Sequence, residues 1–172
     1  MKKYIFLGII SFFITSCMNS QEKKNEMSQQ QIKEALIDVN KKAIEQESIQ
    51  IDGFINRRKW EVVKTGTGLR YQIYKNGNGM MAKPGMKAIV EYELSLINGD
   101  VIYSTKEKGA EQFTIGEDHV ESGLHEAICY LKVGDKARII IPSHLAHGLV
   151  GDFKKIPIRS TIIYDLELKE LK

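Results

Sequence analysis

Apolar residues recur at two different periods along this chain, and the change between them near Thr65 separates a helical part from a sheet-forming part. Before it, Ile32, Leu36, Val39 and Ala43 lie three and four residues apart, the repeat of one face of an α-helix. After it, apolar and polar residues alternate, which sends successive side chains to opposite faces of a strand. Leu69, Tyr71 and Ile73 alternate in this way. So do Val90, Tyr92, Leu94 and Leu96, with Glu91, Glu93 and Ser95 on the other face. The last strand sets Ile162, Tyr164, Leu166 and Leu168 inward and Ile163, Asp165, Glu167 and Lys169 outward. Turn residues punctuate these runs: Asn76-Gly77-Asn78-Gly79, Pro84-Gly85, and Asn98-Gly99, a hairpin signal that returns the chain through Val101 to Ser104. Lys136 to Ile141 is a further strand, stopped by Pro142. One helical repeat interrupts the series, with Val120, Leu124, Ile128 and Leu131 giving a short helix one buried side. The expected class is α+β: an antiparallel β-sheet wrapped around one short helix, preceded by an N-terminal helical segment.

That N-terminal segment spans residues 28–59. Ser28 with Gln31 three residues later makes a capping box. Ile49, Ile51, Phe54 and Ile55 predict a second short helix around Gly53, ending near Arg57-Arg58-Lys59. The apolar stripe is expected to dock on the same chain; the alternative is a homodimer seam, although the stripe is shorter than the three or four heptads of a coiled coil.

The first residues read as a targeting signal. Lys2 and Lys3 are a positive start, Tyr4 to Ile14 an apolar stretch, and Ile14-Thr15-Ser16-Cys17 ends it. Such a stretch is too short to cross a hydrocarbon layer, which takes about twenty residues of helix. It resembles a bacterial lipoprotein signal over residues 1–16, with Cys17 as the acylated residue and residues 17–27 as a polar tether. The alternative is an ordinary secretory signal with an incidental cysteine. Lipidation at Cys17 implies a cell-envelope location, with the protein held on the inner or outer membrane by its acyl chains.

Composition narrows the function. The chain of 172 residues is 42% hydrophobic, enough for one domain with a core beside terminal extensions. Its formal net charge of +3 falls to +1 without Lys2 and Lys3, and no basic stripe with interleaved aromatics is present, so no nucleic-acid partner is expected. Gly66-Thr67-Gly68 and the 76–79 cluster precede no helix and lack a following Lys-Ser/Thr, so they are turns and not phosphate loops. His144 and His147 have no third ligand nearby in sequence, and no metal or other cofactor is expected. With Cys17 acylated, only Cys129 remains; among apolar neighbours it reads as a small buried hydrophobe. No nucleophile–base–acid arrangement appears.

From Val90 to Leu168 the chain reads VEYELSLINGDVIYS, QFTIG, VESGLHEAI, LKVGDKARIIIP, SHLAHG and IP, closing with STIIYDLEL. In order and spacing this resembles the FKBP family of peptidyl-prolyl isomerases, over about residues 60–172. The resemblance implies a fold that holds a proline side chain between sheet and helix, with proline-containing polypeptides as substrates. It also implies the pocket. Tyr92 matches its long-strand tyrosine, Ile102 and Tyr103 the positions of an aromatic and an acid after the hairpin, and Val120 the valine before the helix. Glu121 matches the residue whose backbone amide contacts ligand, Leu124 the tryptophan floor, His147 the loop tyrosine, Ile156 the isoleucine before proline, and Tyr164 the final-strand phenylalanine. Tyr103 in place of the acid, Glu111 in place of an aromatic, Leu124 and His147 depart from the pattern. The run SHLAHGLVGDFKKIP and the leader are similar to a narrower group, the gliding-motility-associated FKBP-like lipoproteins. For Tyr92 and Tyr164, plain core packing is the competing reading. At the level of function, the expected isomerase competes with a non-catalytic chaperone or assembly module, and more remotely with a β-rich ligand-binding lipoprotein.

Overall fold

The computed structural model describes residues 28–172. The expected lipidation residue Cys17, and the expected leader and tether around it, lie outside the described residues.

A helix, α1 (Gln29–Arg58), opens the described chain. Ser28 caps it: its Oγ accepts the Gln31 N–H while the Gln31 side chain accepts the Ser28 N–H, satisfying two donors that a helix start leaves open. The two expected helices are one. Gly53 lowers helix propensity without breaking the hydrogen-bond ladder, and packing of its neighbours outweighs that cost. Lys59 ends the helix in the left-handed conformation, its N–H returning to Ile55 and Asn56.

Seven strands follow: β1 (Val63–Lys64), β2 (Arg70–Lys75), β3 (Lys87–Leu96), β4 (Val101–Ser104), β5 (Glu111–Thr114), β6 (Lys136–Ile141) and β7 (Ile162–Leu171). All pairs are antiparallel, in the order β1-β2-β6-β7-β3-β4, with β5 also on β3. The hairpin at Asn98-Gly99 is wider than a two-residue turn. Leu96 N–H binds Asp100 O, Asn98 Oδ1 accepts the Asp100 N–H, and a bulge lies between Leu94 and Ser95.

A second helix, α2 (Ser122–Ile128), packs against one face of the sheet. It is shorter than the repeat from Val120 to Leu131, because after Ile128 the chain tightens into a turn, with Leu131 N–H on Ile128 O. Leu124, Ala127 and Ile128 pack against Val90, Leu94, Ile139, Ile141, Leu166 and Leu168 in the main core. Gly123 permits this approach, since a Cβ there would overlap the Ile141 side chain.

The other face of the sheet is not simply solvated. Ile51, Phe54 and Ile55 of α1 cover Ile140 and Ile163, with Trp60, Val62 and Ile97 at the margin. Ile163, expected outward to water, is therefore buried; the outward face is real, but a helix covers part of it. Two polar clasps hold the helix there. Arg70, 1% exposed, donates to Asp52 Oδ1, Ser48 Oγ and Gly68 O, and Glu47 accepts from Ser143 and Thr161. The stripe further up α1 does not dock as expected: Ile32, Leu36 and Val39 are 45%, 58% and 54% exposed.

Candidate active site

β3 and β7 run side by side with Leu94 opposite Tyr164 and Tyr92 opposite Leu166, so both tyrosines project from neighbouring strands onto the α2 side. Their rings meet edge to face, 5.1 Å between centroids. Val120 and Leu124 close the recess from the α2 side, Ala146 and His147 from the loop after β6, and Phe113 from β5. The recess is about 450 Å³. Of the residues expected from the sequence, Tyr92, Val120, Glu121, Leu124, His147 and Tyr164 share it.

Tyr103 and Ile156 do not line it. Ile156 is buried in the main core. Tyr103, on β4, turns its hydroxyl to the loop and donates to Asp152 Oδ2 at 2.5 Å. Asp152 Oδ1 collects the N–H groups of Lys154, Lys155 and Ile156 at 2.9, 2.9 and 2.7 Å, and the chain bends through Phe153 at φ +59°. Gly151 at φ +69° is also required here, because a Cβ would overlap Ile156 O. The acid missing at position 103 and the tyrosine missing at 147 therefore have a counterpart: an acid on the loop and a tyrosine on the strand, joined by a hydrogen bond. Asp152 was invisible to matching by position; its only local signal was Gly-Asp ahead of a turn.

The side-chain polar groups of Tyr92, Glu111, Glu121, His147 and Tyr164 in the recess are paired. Tyr164 Oη lies 3.2 Å from both Glu121 oxygens, and His147 Nε2 is 3.0 Å from Glu121 Oε1. Tyr92 Oη donates to Glu111 Oε2 at 3.0 Å, so the glutamate standing where an aromatic was expected holds a wall tyrosine. Burial first, then the Glu121 and Tyr92 charges and the hydrogen bond to Glu121, push the Tyr164 phenol well above its ordinary range. Burial and the hydrogen bond to Glu111 raise Tyr92 in the same way. Both rings are thus neutral walls with spoken-for hydroxyls. Burial works against ionisation of Asp152, but the Tyr103 hydroxyl and the three backbone donors prevail and hold its carboxyl well below the usual range. Glu121 is the N-cap of α2, and its backbone N–H has no acceptor among the described residues. Glu121 lines the recess together with Leu124.

His144 and His147 diverge, Nε2 of the first meeting Thr67 O. Among the described residues no group of three His, Cys, Asp or Glu side chains stands close enough to hold a metal. Cys129 is half-buried, its thiol pushed up by burial and by Glu126.

The sequence profile of FKBP-type peptidyl-prolyl cis-trans isomerases matches residues 79–169. This chain belongs to that family. FkpA of Escherichia coli (strain K12), itself described as an FKBP-type peptidyl-prolyl cis-trans isomerase, is 29% identical over 162 residues, covering 87% of this chain and 59% of that protein. FkpA of Buchnera aphidicola subsp. Schizaphis graminum is 38% identical over 112 residues, 64% of this chain and 44% of that protein. Among solved structures, FkpA from Escherichia coli superposes with a TM-score of 0.66 at 27% identity, covering 86% of this chain and 74% of the other. AtFKBP13 gives 0.63 at 26% identity, covering 66% of this chain and all of the other. This FKBP-family chain spans under two thirds of the length of these two FkpA proteins.

Proposed function

We propose that this protein is a peptidyl-prolyl cis-trans isomerase acting on proline-containing polypeptides, and that the recess between Tyr92, Leu124 and Tyr164 is where the prolyl ring sits. The observation that carries this reading is the union in one recess of an apolar floor, two neutral aromatic walls and an unpaired backbone donor at Glu121. Rotation about an Xaa-Pro amide meets a barrier of about 18–20 kcal/mol from resonance, and no bond need be broken. In the twisted amide that resonance is lost and charge separation falls. An apolar recess therefore favours it over the planar ground state, and the Glu121 N–H can hold a substrate carbonyl while the ring turns. Each 1.36 kcal/mol gained by the twisted form alone is about tenfold in rate. The second reading, a binding module that holds chains without turning proline over, is favoured by the occupied hydroxyls of Tyr92, Tyr164 and Tyr103. Refolding of a protein limited by prolyl isomerisation separates the two. An isomerase shortens the slow phase at substoichiometric concentration; a holding module suppresses aggregation and leaves the slow phase unchanged.

The protein works, on this proposal, in the bacterial cell envelope on exported chains, anchored through acylated Cys17 as in the lipoprotein subgroup its leader and loop resemble. Positive residues, a short apolar run and a small-residue approach to Cys17 support the anchor. Globomycin, which blocks lipoprotein signal processing, should make the unprocessed precursor accumulate; normal maturation of Cys17→Ser would argue for an ordinary secretory leader. The exposed Ile32, Leu36 and Val39 support pairing of two copies through α1.

A further inference from the structure

Glu47 lies three turns before the end of α1, on the back of the sheet and away from the recess. Its carboxylate nevertheless accepts three hydrogen bonds from the chain that roofs that recess: Ser143 N–H at 2.8 Å, Ser143 Oγ at 2.7 Å and Thr161 Oγ1 at 2.6 Å. Ser143 and Thr161 are both buried, and they are the two ends of the segment between β6 and β7. From Ser143 the connection to the recess is short. Its carbonyl accepts the N–H groups of Ala146 and Gly148, the residues on either side of His147, and Gly148 O in turn accepts the Arg159 N–H from the returning limb. Hydrogen bonds to a charged acceptor are stronger than neutral ones, and both stem residues are out of water.

We propose that Glu47 is a positioning residue of the prolyl recess: its carboxylate clasps both ends of the 143–161 segment and, through Ser143, sets where Ala146 and His147 stand. The helix thereby becomes part of the site's framework, and the inference rests on the isomerase reading only for its effect on turnover. The second clasp provides the control. Asp52 anchors the same helix through buried Arg70 and also pairs with Lys64, and none of its hydrogen bonds or ion pairs reaches the 143–161 segment.

The test compares Glu47→Ala, Glu47→Gln and Asp52→Ala in the full chain, by amide hydrogen exchange and by turnover of an Xaa-Pro peptide. Glu47→Ala should speed exchange at Ala146 and Gly148 by about tenfold and lower kcat/KM by about tenfold. Glu47→Gln, which keeps a carbonyl oxygen for the Ser143 N–H, should restore most of both. Asp52→Ala should weaken the fold without a selective change at those two amides. Unchanged exchange in Glu47→Ala, or an equal change in Asp52→Ala, overturns the proposal. If Glu47→Ala does not fold, Glu47→Asp, whose carboxylate is one methylene shorter on the path to Ser143 and Thr161, is read against Asp52→Ala at the same amides, and only faster exchange in the former sustains the inference. Wild-type protein that fails to turn over the peptide removes the isomerase reading, while the exchange data still decide the role of Glu47.

Discussion

At the scale of single residues, Asp152 ties two parts of the fold together, its two oxygens joining the loop backbone to Tyr103 of β4. Replacing Asp152 by Ala strips the acceptor from three N–H groups and a phenol, and should cost about 1–3 kcal/mol in urea unfolding. Tyr103→Phe should cost less, about 0.5–1.5 kcal/mol, because the backbone donors keep their acceptor. The same residue predicts a pH dependence. Its folded carboxyl is depressed, so its contribution is complete above the ordinary aspartate value of about 4 and is lost as pH falls through the lower folded value. Urea midpoints taken down into acid should therefore fall more steeply for wild type than for Asp152→Asn. The sequence could not disclose this pair, because positional matching looks for an acid at 103 and a tyrosine at 147, and here the hydrogen bond joins residues 49 apart in the chain. Tyr92, Leu124 and Tyr164 were legible because strand alternation and the helical repeat fix the face on which each one stands.

At the scale of elements, α1 is two things in one helix. Its last turns bury Ile51, Phe54 and Ile55 against Ile140 and Ile163; its first turns leave Ile32, Leu36 and Val39 in solvent. Ile51→Ala should destabilise the whole domain by about 2–5 kcal/mol, the range for opening a cavity at a fully buried site. Leu36→Ala on the exposed stretch should change monomer stability by less than about 0.5 kcal/mol. Parallel thermal unfolding of the two variants checks both. The strands of the sheet were legible from period two, whereas the covering of the second face was not. Its signal was present in the adjacent isoleucines 139–141 and 162–163, where alternation gives way to a continuous apolar run, the mark of a strand buried on both sides. The break expected at Gly53 failed for a related reason: propensity costs about 1 kcal/mol there, and burial of Ile51, Phe54 and Ile55 outweighs it.

At the scale of the whole molecule, the sheet, α2 and the loop after β6 converge on one recess, and α1 braces the loop from behind. If two copies pair through the exposed stripe of α1, light scattering should give twice the monomer mass, and a Leu36→Glu variant should return the monomer value. The central claim is that the recess lets an Xaa-Pro bond turn faster than in water. The measurement that tests it most directly is cis–trans exchange of an Xaa-Pro peptide followed with wild-type protein and with Tyr92→Ala, whose ring forms one wall but is only half buried. The wild type should accelerate the exchange over its uncatalysed rate, and removing the ring should lower kcat/KM by at least about tenfold. Well-folded wild-type protein that leaves the exchange at its uncatalysed rate, or a Tyr92→Ala variant as active as wild type, would contradict it.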